Sequence, residues 1–296
     1  MPFDKLRDRG SLRDRGSPRD RGSLRDRARM IDDDFDSRPG SATSLLRTII
    51  GLYLRELGGW ISIAQLIALL ELLDVPASST RMAVTRLKKK DVLTPEDLDG
   101  AVGYRIADDA LAMLERGDRR IFTPRRMTAG DGWVLLSFSI AESERDRRHQ
   151  LRKRLSGIGC GTVTAALWIA PAYLSDEIGG ILDSLELRNS TTLFTSPDRR
   201  TAQDVATWWD LDALAGLHRT FIAEVSQGSG SEFARYIRGI DAWRSIPYLD
   251  PGLPIELLPD NWPGIESERL FARLVAECAD AAGGVVRAST GSATGE

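Results

Sequence analysis

Only two cysteines and two histidines occur in the 296 residues, and no apolar run approaches the roughly 18 to 20 residues of a membrane-spanning helix. Each scarcity removes a class of chemistry. Cys160 and Cys278 lie far apart among small or apolar neighbours, which argues against a disulfide framework or a thiolate metal cluster and for two buried, reduced thiols. His149 and His218 belong to different elements, so the sequence offers no evident acid–base pair. The N-terminus is charged with no apolar segment behind it, the opposite of a secretory signal, and a cytoplasmic location is expected.

What is present is an uneven distribution of charge. The net charge of −3 hides 30 Lys and Arg against 24 Asp and Glu in residues 1–154, and 10 against 19 in residues 155–296. Such a split suits a protein that meets a polyanion at one end only, because cation–phosphate contacts supply most non-specific affinity for nucleic acid. An apolar content of 42% with seven Trp is ample for real cores, and the length fits two or three domains.

The basic half contains the most informative stretch, SSTRMAVTRLKKKDV at residues 78–92. At 100° per residue, Ala83, Val84 and Leu87 share a sector with Thr80, while Ser78, Met82, Thr85 and Lys89 point the other way. Arg81, Arg86 and Lys88 lie on the flanks, where phosphates would run if the outward side sat in a groove, and Ser78, Ser79 and Thr80 are expected to cap the helix. Upstream, residues 44–57 and 62–75 read as amphipathic helices joined by a Gly-Gly-Trp turn; downstream, an apolar run at Val92 and Leu93, a Gly-containing turn and Gly103 to Ile106 read as a two-stranded wing carrying Arg105. Helix, helix, reading helix and wing make a winged helix-turn-helix over residues 41–118, built to bind DNA or, on the same fold, another protein.

Residues 1–40 contain a six-residue repeat, LRDRGS, that holds almost no apolar side chains and is expected to be a disordered arm, its arginines available for loose DNA contact in the alternative. After a basic connector at 119–130, strand, helix, strand, helix, strand over 131–200 predicts a small ferredoxin-like unit suited to dimerisation, with Arg145, Arg147, Arg148 and Arg152 along its basic helix. Residues 162–171 read as one strand. Helices over 203–225, 231–246 and 267–282 predict a helical domain at 201–282, followed by a polar tail at 283–296. The fold class is therefore α+β, multidomain. The glycines of GIGCG at 157–161 close a helix rather than open one, which fits a C-cap and not a phosphate loop.

Four blocks carry a family resemblance: RMAVTRLKKKDVL; DGWVLLSFSIAESERDRRHQLRKRLSGIGCGTVTAALWIAP; WWDLDALAGLHRTFI; and DPGLPIELLPDNWPG. In these the chain resembles the PaaX family of phenylacetic-acid-degradation repressors. The resemblance implies an N-terminal winged helix, a central ferredoxin-like domain akin to the small CRISPR-associated adaptation nuclease, and a helical C-terminal domain. It also implies a homodimer on double-stranded operator DNA, released by an aryl-acyl-CoA such as phenylacetyl-CoA, with no cofactor. The family commonly has Tyr where this chain has His218. An acyl-CoA needs aromatic walls and cations for its phosphates; Arg125 and Arg126 of the connector, with Trp208 and His218, are the residues expected to supply them at a domain boundary. The nuclease kinship raises a second class, a metal-dependent phosphodiesterase. Where those relatives place an Asp near the end of the first strand this chain has Ser139, a poor ligand for a hard cation, and Glu142 and Glu144 sit in the following turn without an evident partner, so no catalytic activity is expected.

Overall fold

A computed structural model describes residues 37–128, 130–197 and 200–291; the repeat arm expected over residues 1–40 falls, up to residue 36, outside the described residues. The chain is α+β. Its first part runs α1 (Ala42–Ile49), a π-helical turn (Ile50–Leu54), β1 (Trp60–Ser62), α2 (Ile63–Glu71), α3 (Ala77–Lys89), β2 (Leu93–Leu98), β3 (Ala101–Ile106) and α4 (Asp108–Phe122). The second part runs β4 (Trp133–Phe138), α5 (Arg145–Gly157), β5 (Gly161–Thr164), β6 (Leu167–Pro171), α6 (Ser175–Ser184) and β7 (Thr191–Ser196). The remainder is helical: α7 (Ala202–Trp208), α8 (Leu211–Gln227), α9 (Glu232–Trp243), the short α10 (Ile246–Leu249) and the long α11 (Gly264–Thr290).

Local chemistry accounts for the element ends. Ser62 and Gln65 form a reciprocal capping box at the start of α2, Thr201 and Asp204 do so for α7, and Asp210 and Ser231 cap α8 and α9 through their side-chain oxygens. Gly159, at φ +84, turns the chain out of α5, as expected for a C-cap glycine.

Two antiparallel sheets form among the described residues. One has the strand order β1-β3-β2, with Trp60 to Ser62 adding a third strand where only a turn was expected. The other has the order β5-β6-β4-β7. The single strand expected over 162–171 is instead a hairpin, because Ala165 and Ala166 reverse the chain and Thr164 pairs with Leu167. The helix expected over 203–225 breaks after Trp208, where Trp209 turns extended and Asp210 caps a new helix. Residues 283–290, expected in a polar tail, continue α11: Ala282 and Val286 are buried one turn apart and keep the helix docked until Gly291 ends it at φ +71.

Three hydrophobic cores form among the described residues. The largest packs Leu46, Ile49, Leu66, Leu69 and Leu87 of α1–α3 together with Phe221, Phe233, Trp243 and Leu274 of α8, α9 and α11, so the N-terminal helices share their interior with the C-terminal ones. The second lies between one face of the β4–β7 sheet and α5 and α6; the third covers part of the other face with Val205, Trp209, Leu253 and Trp262. Cys160 and Cys278 are buried free thiols, and burial raises the pKa of both. Between the first core and solvent sits a buried polar knot: Asp241 accepts from Ser44 Oγ at 2.6 Å, Thr48 Oγ1 at 2.9 Å, Gly40 N at 2.7 Å and Arg244 Nε at 3.2 Å. It ties α1 to α9. No helix among the described residues is long and apolar enough to cross a membrane.

Candidate nucleic-acid interface and effector cavity

α3 separates its residues as the sequence pattern requires. Thr80, Ala83, Val84 and Leu87 are buried, while Ser78, Arg81, Met82, Thr85, Arg86, Lys88 and Lys89 are exposed, Met82 by 58% of its surface. Two details differ from expectation. The residue before the helix is Pro76 and no side chain caps it; Ser78 and Ser79 lie in the first turn, and Thr80 Oγ1 donates to Pro76 O at 3.3 Å. Thr80, wholly buried, cannot touch a base edge and does not contact DNA as the sequence reading of residues 78–89 would have it. Arg86 leans toward α1, its guanidinium 3.4 Å from Thr43 Oγ1, and Lys88 lies 5.9 Å from the centre of the Tyr104 ring. Arg81 and Lys89 extend from the exposed face.

The β2–β3 hairpin beside α3 turns at Asp99 and Gly100, both at positive φ. Arg105 does not stand free on it. Its Nε meets Glu96 Oε2, its Nη2 donates to Glu96 Oε1 at 3.0 Å and its Nη1 donates to Gly58 O at 3.2 Å; the same pairing holds the Glu96 carboxyl below its usual pKa. With Glu96, Asp97 and Asp99 around it, the hairpin is acidic, and Arg105 braces it instead of reaching for phosphate. Trp60 lies across the hairpin with its Nε1 donating to Glu96 O at 2.9 Å, and a Cβ at Gly103 would overlap the Trp60 ring and stand 2.8 Å from Ile61 O. Gly103→Ala is thus expected to cost about 1–3 kcal/mol through overpacking, seen as a lower urea midpoint of unfolding.

A cavity of about 510 Å³ opens where α4, the connector, α6, α10 and the Asp250–Gly252 strap meet. That volume is in the range of small-molecule sites, about 300–1,000 Å³. Arg116, Arg119, Arg120 and Arg125 line it on one side, with Tyr173, Trp243 and Tyr248 among its aromatic walls. Arg120 is structural: it donates to Glu177 Oε1 at 2.6 Å, Pro247 O at 2.9 Å and Ile158 O at 3.0 Å. Arg125 lies 4.5 Å over the Tyr173 ring and pairs with Asp131 at 2.9 Å, while Arg119 is exposed at the rim.

Of the four residues expected at an effector site, Arg125 and His218 line this cavity. Arg126 does not; it is drawn away to Glu268 at 2.5 Å and Leu253 O at 3.3 Å. Trp208 packs elsewhere, against Trp209 and beneath Arg200. The partners of His218 were not foreseen in the sequence: Nε2 lies 2.9 Å from Asp250 Oδ2 and Nδ1 2.5 Å from Ser267 Oγ, all three buried. Asp250 opens the DPGLP block, but nothing in linear spacing links it to a histidine 32 positions earlier. Asp250 Oδ1 also accepts from Gly252 N at 2.8 Å, and Gly252 O from Met127 N at 2.7 Å, so the strap joins His218 to the connector. Gly252 has φ +65, and a Cβ there would overlap Arg125 O.

The basic helix α5 spends its charge locally. Arg147 pairs with Glu144 and Glu186, Arg148 with Glu142, and Arg152 donates to Ala165 O at 2.7 Å. The carboxylates near Ser139 are therefore ion-paired, and no group of three or more His, Cys, Asp or Glu is placed to hold a metal ion among the described residues.

Comparison with known proteins agrees along the chain. Residues 41–110 match the family described as PaaX-like protein, residues 126–207 the PaaX protein central Cas2-like domain, and residues 209–288 the PaaX-like protein C-terminal domain. Transcriptional repressor PaaX of Escherichia coli (strain K12) is 25% identical over 263 residues, covering 82% of this chain and 82% of that one. The solved structure of the uncharacterized protein Rv0674 from Mycobacterium tuberculosis superposes with a TM-score of 0.58 at 19% identity, over 84% of this chain and 99% of that one. With all three of its parts matched in order, the chain belongs to the PaaX family.

Proposed function

We propose that this protein is a DNA-binding transcriptional repressor, not an enzyme, that acts as a homodimer on double-stranded operator DNA and is released by an aryl-acyl-CoA such as phenylacetyl-CoA. The observation that carries the reading is α3, whose inner sector is buried and whose outer sector presents Ser78, Arg81, Met82, Thr85, Arg86, Lys88 and Lys89. The name of the Escherichia coli relative, a transcriptional repressor, supports it. Helices α1 to α3 followed by the β2–β3 hairpin support a winged helix over 41–118, and the β-α-β-β-α-β order with strands arranged β5-β6-β4-β7 supports a ferredoxin-like unit over 131–200 as the dimerisation layer. In a dimer, two copies of α3 spaced about 34–36 Å apart would read half-sites one helical turn apart. The repressor works at the nucleoid, in the cytoplasm.

The cavity supplies the second half of the reading. Its aromatic and proline walls suit the apolar stretches of an acyl-CoA, and Arg116, Arg119 and Arg125 suit its phosphates. Ligand that prefers a dimer geometry with the wrong half-site spacing would weaken DNA binding by that differential affinity. The test is a gel shift on the promoter DNA flanking the protein's own gene, with and without phenylacetyl-CoA. A shift that the thioester reverses is expected; an unshifted probe favours a protein-interaction module, and a degraded probe favours the nuclease. Thr85 Oγ1 donates to Arg81 O at 3.0 Å and keeps lone pairs directed outward. Thr85→Ala is expected to change which operators are preferred by about 1–3 kcal/mol per altered base pair while leaving binding to random DNA unchanged. Equal losses on both would remove Thr85 from the base-reading set.

A further inference from the structure

Beside the large cavity is a second, smaller pocket of about 60 Å³, lined by α1 and its π-helical turn, α4, α9 and α10 and partly open to the surface. Leu52, Met113, Leu114, Ile121, Phe122 and Ile240 give it mostly apolar walls, with Arg47, Asp118 and Arg244 at its margin. Met113 and Tyr248 line both spaces, so one layer of side chains separates them. One of the two, methionine, is the side chain best able to change shape while staying packed.

Packing does not require this void. Two helical glycines face it, Gly51 in the π-helical turn and Gly117 in the middle of α4. A Cβ at Gly51 would meet only Leu114 at 3.7 Å, and one at Gly117 only the Tyr248 hydroxyl at 3.6 Å, both ordinary van der Waals distances. Neither glycine has positive φ. Glycine in a helix interior costs stability relative to alanine, so two glycines that alanine could replace keep this lobe open at the expense of the fold.

Resting on the effector reading above, we propose that the lobe is the subsite for the apolar end of the ligand, entered from the large cavity by displacement of Met113 and Tyr248, with the phosphate end left at Arg119 and Arg125. The lobe is smaller than the roughly 150 Å³ cavity that accepts benzene, so a ring seats only by pushing its walls apart. One of those walls is α1 with its π-helical turn, through Thr48 and Leu52, and α1 is the helix against which α3 packs and which Asp241 ties to α9. Occupancy of the lobe thereby bears on the seat of the reading helix. The distance between cavity and DNA face is bridged by a single helix.

The test is calorimetric titration of the full chain with CoA, acetyl-CoA and phenylacetyl-CoA, in the wild type and in Gly117→Ala and Gly117→Leu. The wild type is expected to bind phenylacetyl-CoA more tightly than CoA. Gly117→Leu fills the lobe and is expected to cut that preference tenfold or more while CoA affinity stays within twofold; Gly117→Ala, which fits without displacing a wall, is expected to fall between. Thermal unfolding establishes that each variant is folded, and the alanine variant carries the test if the leucine variant is not. A preference unchanged in folded variants overturns the subsite and leaves the effector reading standing. A wild type that binds none of the three removes the effector reading and the subsite together.

Discussion

Asp241→Ala is expected to destabilise the protein by about 3–5 kcal/mol, read as a fall in urea midpoint at unchanged m-value. The carboxylate is wholly buried and accepts four hydrogen bonds, from Gly40 N, Ser44 Oγ, Thr48 Oγ1 and Arg244 Nε. Arg244 Nη2 in turn donates to Ser44 Oγ at 2.9 Å, so the knot closes on itself. Removing the carboxylate leaves buried hydroxyls and a guanidinium without the acceptor that compensated their desolvation, which costs far more than the pair contributed net. The damage falls on the junction between α1 and α9, two helices nearly 200 residues apart in the chain. DNA binding is expected to fall with it, because α3 packs on α1. A loss of stability below about 1 kcal/mol would mean that the knot is solvated in solution.

The triple change Arg81→Ala, Lys88→Ala and Lys89→Ala is expected to leave the fold intact and to flatten the dependence of log K on log salt by about 2.7, at roughly 0.9 for each phosphate no longer neutralised. All three side chains are exposed on α3, and Lys88 does no more than approach the Tyr104 ring to 5.9 Å from its centre, so little native packing depends on them. Affinity near 0.15 M salt is expected to drop by about two orders of magnitude or more for operator and random DNA alike, since phosphate contacts position without specifying. Titration of fluorescent duplex at several salt concentrations measures both slope and affinity. Arg105→Ala is the matching control: its guanidinium is committed to Glu96 and Gly58, so the slope should not move. An unchanged slope in the triple variant would detach α3 from the phosphate backbone.

Legibility varied with the range of the interaction. The two sides of α3 were readable because a helix places residues by a fixed angle, and burial of Thr80, Ala83, Val84 and Leu87 follows that angle. The reversal at Ala165 and Ala166 was not, because those residues carry no turn signature and only pairing of Leu167 with Ser137 on β4 makes the second strand visible. Arg105 looked like a phosphate ligand since its partner Glu96 lies across a hairpin whose register must be known first. Arg125 and Arg126 are adjacent and chemically identical, yet one lines the cavity and the other is taken by Glu268 from α11.

The amino-acid sequence by itself determined the N-terminal helices, their apolar faces, the charge asymmetry and the family, all properties of local periodicity, composition or short motifs. Tertiary structure alone decided that the first and last parts share one core, that Asp241 joins them, and that His218 meets Asp250 and Ser267 at the edge of a cavity. These depend on which surfaces bury each other, and burial is a property of the packed chain that no window of sequence contains.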